Sequence, residues 1–182
     1  MSRLRPGVSD ADHRAGPDDA PVTLVEYGDY ECPYCGRAYP IVRDVQKAMG
    51  RRLRFVFRNF PLAEAHPHAV RAAEAAEAAA AQGKFWEMHD LLYEHQRALD
   101  DGHLLQYTKQ LGLDVERVKR EMETGTHTDR VESDFRSGVR SGVNGTPTFF
   151  VNGERHDGPW DFEGLMAAIE RAASNGHRLM RA

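Results

Sequence analysis

The chain of 182 residues holds two cysteines, Cys32 and Cys35, separated only by Pro33 and Tyr34. Residues three apart on a first helical turn lie side by side, so this pair can close and reopen a disulfide. The two sulfurs are not equivalent. Pro33 suits the first position of a helix, which puts Cys32 at or just before the helix start. Unpaired backbone N–H groups and the positive end of the helix dipole stabilise a thiolate there and lower the pKa of the thiol. Cys35, one turn deeper, is suited to attack a mixed disulfide once Cys32 has formed it. On this reading Cys32 is the nucleophile and Cys35 the resolving thiol. Glu31, beside the nucleophile, opposes thiolate formation slightly. Two plainer readings stand beside this one: half of a zinc site, or a pair of inert buried thiols. Structural zinc needs four ligands, and with no second cysteine pair the rest would have to come from His66 and His68. The nine histidines show no H-E-x-x-H spacing, and no metal is expected.

The elements that must position the cysteines can be read on either side of them. Val22-Thr23-Leu24-Val25-Glu26-Tyr27, bounded by Pro21 and Gly28, has the composition of a mostly buried strand. A helix from about Cys32 runs through Ile41, Val42 and Val45 to Met49-Gly50, with Pro40 expected to kink it. Leu53-Arg54-Phe55-Val56-Phe57-Arg58 is a second strand, giving a parallel crossover unit with a right-handed connection. Between His66 and Ser141 only amphipathic helical spacing is found, as five stretches. They cover Pro67 to Gln82, the run from Phe85 to Leu92, the run from Leu104 to Leu111, a helix capped by Asp114, and a stripe of Val131, Phe135 and Val139. Thr148-Phe149-Phe150-Val151, the turn Asn152-Gly153 and Glu154-Arg155-His156 make a hairpin. A last helix follows, with Phe162, Leu165, Met166 and Ile169 on its inner face.

The expected fold class is therefore α/β, a mixed sheet of about four strands with an inserted all-helical subdomain. Residues 1–20, rich in Asp, Arg, Gly and Pro, are expected as a flexible N-terminal arm. Residues 21–62 and 143–174 form the two halves of the sheet domain, 63–142 the helical insertion and 175–182 a C-terminal tail.

A hydrophobic content of 41 % excludes a disordered or fibrous chain, and a net charge of −4 makes nucleic acid an unexpected partner. No run approaches the roughly 20 apolar residues of a membrane span, and the N-terminus lacks the apolar stretch of a secretory signal. A monomeric cytoplasmic protein that engages neither membrane nor nucleic acid is the resulting expectation.

Two segments carry a more specific resemblance: Glu26-Tyr27-Gly28-Asp29-Tyr30-Glu31-Cys32-Pro33-Tyr34-Cys35 and Gly145-Thr146-Pro147-Thr148-Phe149-Phe150-Val151-Asn152-Gly153. Together they resemble the signatures of DsbA-like thiol–disulfide oxidoreductases, which have a thioredoxin fold with a helical insertion. The resemblance covers about Pro21 to Ala173, and the Pro-Tyr dipeptide is also similar to that of glutaredoxins. It implies a cis bond at Thr146–Pro147 packed against the disulfide, with Thr146 offering backbone groups to an extended substrate. It also implies that Glu26 is a buried acid beneath the site. A carboxyl there would have a raised pKa and could accept the proton of Cys35 through a water. Cys32, Cys35, Pro147 and Glu26 are thus the expected catalytic residues, and Thr146, Pro33 and Tyr34 the expected substrate-binding ones. The implied activity is disulfide exchange with protein or small thiol substrates, with a redox partner or glutathione and no cofactor beyond the Cys32–Cys35 disulfide. A redox-switched chaperone or peptide-binding module of the same fold is the alternative.

Overall fold

Five strands form one mixed sheet in the computed structural model, which describes residues 2–179. They are β1 (His13–Ala15), β2 (Val22–Gly28), β3 (Leu53–Asn59), β4 (Thr148–Val151) and β5 (Glu154–His156), in the order β1-β3-β2-β4-β5. The β1–β3, β2–β4 and β4–β5 pairings are antiparallel. Every residue of β2 is buried, as expected of a central strand written almost wholly in β-branched and apolar residues. Asn152 and Gly153 both have positive φ, 48° and 82°, as a two-residue turn between twisted strands requires.

Seven α-helices are described: α1 (Pro33–Met49), α2 (Ala69–Ala80), α3 (Phe85–Glu94), α4 (Asp101–Gln110), α5 (Val115–Glu123), α6 (Thr128–Arg140) and α7 (Phe162–Leu179). α1 begins at Pro33 and contains Pro40. The chain divides into two compact units, one of 1–27, 37–58 and 137–182 and one of 28–36 and 59–136.

In the first unit, Val42, Val45 and Met49 of α1 and Leu165 and Ile169 of α7 are buried with Leu24, Val25 and Phe150 of the sheet. The segment 1–20 departs from the flexible arm expected of it. It supplies β1, and its Asp12 pairs with Arg58 of β3 at 2.7 Å, both side chains being at most 5 % exposed. Arg58 also donates to the Pro6 and Gly7 carbonyls and to the Tyr27 hydroxyl. An arginine buried in a strand needs such partners, and the polar arm meets that need. β1 is also why the sheet has five strands rather than about four. At the other end, residues 175–179 of the expected tail continue α7, and 180–182 lie outside the described residues.

The second unit is helical. α2 is so rich in alanine that α3, α4 and α5 pack around it, and nine of its residues are buried. Two of those are Glu74 and Glu77. The Thr128 hydroxyl donates to Glu74 at 2.6 Å and the Asn59 side-chain amide donates to Glu77 at 2.7 Å. Asp114 caps α5 by accepting from the Arg117 amide, and Asp100 caps α4 in the same way from Gly102 and His103. On α6 the expected stripe is displaced: Val131 and Asp134 are buried whereas Val139 is 55 % exposed. Asp134 accepts from the backbone N–H of Asn59 at 3.0 Å, so a hydrogen bond joins Val131 on the buried face of this helix.

Candidate active site

Helix α1 starts one residue after Cys32, which leaves Cys32 at the position before the first helical residue and Cys35 inside the first turn. The Gly36 amide donates to the Cys32 carbonyl at 3.0 Å, and the Cys32 amide donates to the Asp29 carbonyl at 3.2 Å. No disulfide joins the two cysteines; Cys32 is 3 % exposed and Cys35 fully buried. Between them, Pro33 is exposed and Tyr34 stands 55 % exposed.

The approach to Cys32 is held by a carboxylate and an amide. Asp29 is buried, and its Oδ1 accepts from the Glu31 amide at 2.8 Å. Its Oδ2 accepts from the Leu62 amide at 2.8 Å and lies 2.7 Å from His66 Nδ1. Glu31 in turn accepts from the His68 amide at 2.6 Å. Gln96 Nε2 donates to the carbonyls of Tyr30 and Cys32, at 2.9 and 2.8 Å. Gly36 makes room for this amide, since a Cβ there would fall 2.0 Å from Gln96 Oε1. The Tyr30 hydroxyl lies 3.1 Å from His89 Nδ1, and its ring tilts against Tyr93 at 4.9 Å.

Burial alone would depress the pKa of His66. The hydrogen bond to Asp29, then the charges of Asp29, Cys32 and Glu31, outweigh it and raise the imidazole above its ordinary value. Among the described residues, no group of three or more His, Cys, Asp or Glu side chains is placed to hold a metal ion.

The remaining expected residues belong to the sheet unit. Glu26 lies in β2, buried, in register with Phe149 of β4. The Thr146–Pro147 bond is cis and leads directly into β4, whose first residue, Thr148, donates its hydroxyl to the Gly145 carbonyl at 2.7 Å. Sequence reasoning missed Asp29 and Gln96 and considered His66 only as a metal ligand. Their distant partners are 33 to 66 residues away, and no local pattern signals such contacts.

A thioredoxin family model matches residues 9–171. This chain belongs to the thioredoxin family. Within that family it is similar to solved DsbA-type chains, which share its fold at lower identity. BdbD from Bacillus subtilis matches with a TM-score of 0.86 and 27 % identity, over 95 % of this chain and 98 % of that one. A thioredoxin-like oxidoreductase from Silicibacter pomeroyi matches with a TM-score of 0.81 and 31 % identity, over 91 % and 94 %. A third relative is of another kind: a Na+/H+ antiporter, NhaA 3, of Salinispora tropica, 50 % identical over 163 residues and 90 % of this chain. The chain spans about a quarter of the length of the curated relatives it matches. That finding overturns the expected cytoplasmic setting. The expectation rests on the absence of a leader and of an apolar span, whereas relatives named as Na+/H+ antiporters match 90 to 93 % of this chain. No described helix is itself long and apolar enough to cross a membrane.

Proposed function

We propose that this chain exchanges disulfides with thiol- or disulfide-containing protein substrates through a mixed disulfide on Cys32. The observation that carries the reading is the seat of the pair: Cys32 just before α1 and Cys35 buried in its first turn. A Cys32 thiolate attacks one sulfur of a substrate disulfide; the Cys32–substrate bond forms, the substrate S–S bond breaks, and one substrate thiolate leaves. Cys35, after losing its proton, attacks the Cys32 sulfur. The Cys32–Cys35 disulfide forms and the second substrate thiol departs, so two electrons have passed to the substrate. Run backwards, the same steps oxidise a dithiol, and glutathione or a protein partner resets the pair. These steps balance with no other cofactor. Pro33, Tyr34 and Thr146 are assigned to substrate contact, Pro147 to the catalytic set, and Glu26 to accepting the Cys35 proton. No ion transport is assigned to this segment.

The test is exchange with a fluorescent mixed-disulfide peptide. Cys32→Ser should abolish turnover, Cys35→Ser should accumulate a covalent adduct visible by mass, and Glu26→Gln should slow only the resolution step. Undiminished exchange by the Cys32→Ser protein would end the reading.

A further inference from the structure

The Cys32 thiolate needs more than a helix terminus, because Glu31 sits next to it in sequence and Asp29 lies three residues before it. Two carboxylates on one short loop work against a third negative charge. The loop of residues 60–68 supplies what is missing. Its Leu62 amide and His66 imidazole both reach Asp29 Oδ2, and its His68 amide reaches Glu31. The imidazole is therefore seated on the buried carboxylate three residues before the nucleophile, its side chain 17 % exposed against 0 % for Asp29.

Resting on the exchange reading above, we propose that His66 is a positioning residue of the redox centre: as an imidazolium on Asp29 it stabilises the reduced pair with Cys32 ionised, and so makes the disulfide more oxidising. The charged groups that act on His66 are Asp29, Cys32 and Glu31, and all three favour its protonated form. The effect has a built-in pH dependence. At low pH the imidazolium neutralises Asp29 and attracts the thiolate; as pH rises through the titration of His66, Asp29 keeps only the Glu31 and Leu62 amides and its charge is no longer offset by a cation. The advantage of the native protein over a neutral variant is then lost.

The experiment is an equilibrium titration of the Cys32/Cys35 pair in glutathione buffers, from pH 6 to 8.5, on the full chain, with His66→Gln and His66→Lys compared. Gln keeps an N–H for Asp29 but no charge; Lys keeps a charge that does not titrate in this range. His66→Gln should shift the equilibrium about tenfold toward the disulfide, about 30 mV lower in potential, with the gap closing at the alkaline end. Its Cys32 should be alkylated more slowly at low pH. His66→Lys should restore the native value and flatten the pH profile. An unchanged potential in His66→Gln, or the same loss in both variants at every pH, overturns the proposal while leaving the exchange reading intact. A native pair that does not equilibrate with glutathione at all would remove the exchange reading, and this proposal with it.

Discussion

Gln96 is the residue on which the approach to Cys32 most directly depends, because one side-chain amide satisfies two backbone carbonyls, those of Tyr30 and Cys32. A Cβ at Gly36 would meet the end of the Gln96 side chain and push it away from those carbonyls. Gly36→Ala and Gln96→Ala are therefore two ways of breaking the same contact. Each should cost about 1–3 kcal/mol, and the double variant should cost clearly less than their sum, read from urea unfolding of the four proteins. Simple additivity would mean that the two residues act separately. The cysteine pair itself was legible in the sequence, since Pro33 marks the helix start and the spacing places both thiols on one turn. Gln96 and His66 were not: a glutamine near a helix end and a histidine before a proline look alike in any surface loop, and only the folded chain brings them to residues 29–32.

At the scale of elements, those whose geometry is dictated by short-range chemistry were read correctly. The Asn152-Gly153 turn is one case, because both residues tolerate positive φ and the flanking runs are apolar. The Asp114 cap is another, because the side chain of an aspartate just before a helix reaches the free amides of its first turn. Failures came where tertiary contacts decide. The stripe on α6 was counted by apolar spacing, yet Val139 is exposed and Asp134 is buried against Asn59. Asn152 has a second duty that spacing did not reveal: its Oδ1 accepts from the Thr23 amide at 2.8 Å and so ties the hairpin to β2. Asn152→Ala should then lower stability by about 1–3 kcal/mol, through both the strained φ and the orphaned amide. Asn152→Gly should recover only the part due to φ. Equal stability of Asn152→Gly and the native protein, measured as denaturant midpoints, would show that the hydrogen bond contributes nothing.

Across the whole molecule, the largest departure from expectation is residues 1–20. A composition of Asp, Arg, Gly and Pro signals no strand, yet Asp12 and the carbonyls of Pro6 and Gly7 complete the coordination of Arg58. Arg58 is held more firmly protonated than an exposed arginine: burial opposes its charge, but the hydrogen bond to Asp12 and the neighbouring Tyr27 outweigh that. Asp12→Ala would strand a buried guanidinium and should cost about 3–5 kcal/mol, far more than Asp10→Ala, whose own side chain is 98 % exposed. Matching losses from the two substitutions, read by thermal unfolding, would refute this account.

The same segment touches both margins of the sheet. β1 lies outside β3, while at the far side the Leu4 amide bonds the Gly153 carbonyl, Arg3 bridges to Glu154, and the Arg155 amide bonds the Ser2 carbonyl. An open sheet offers unpaired N–H and C=O groups at its two outer strands, and those rows are templates on which other chains can add. Here a single stretch of fourteen residues, 2 to 15, covers β3 with an edge strand only three residues long and pairs along β5 on the other side, so protection against strand-by-strand polymerisation is carried by a segment that contains neither cysteine.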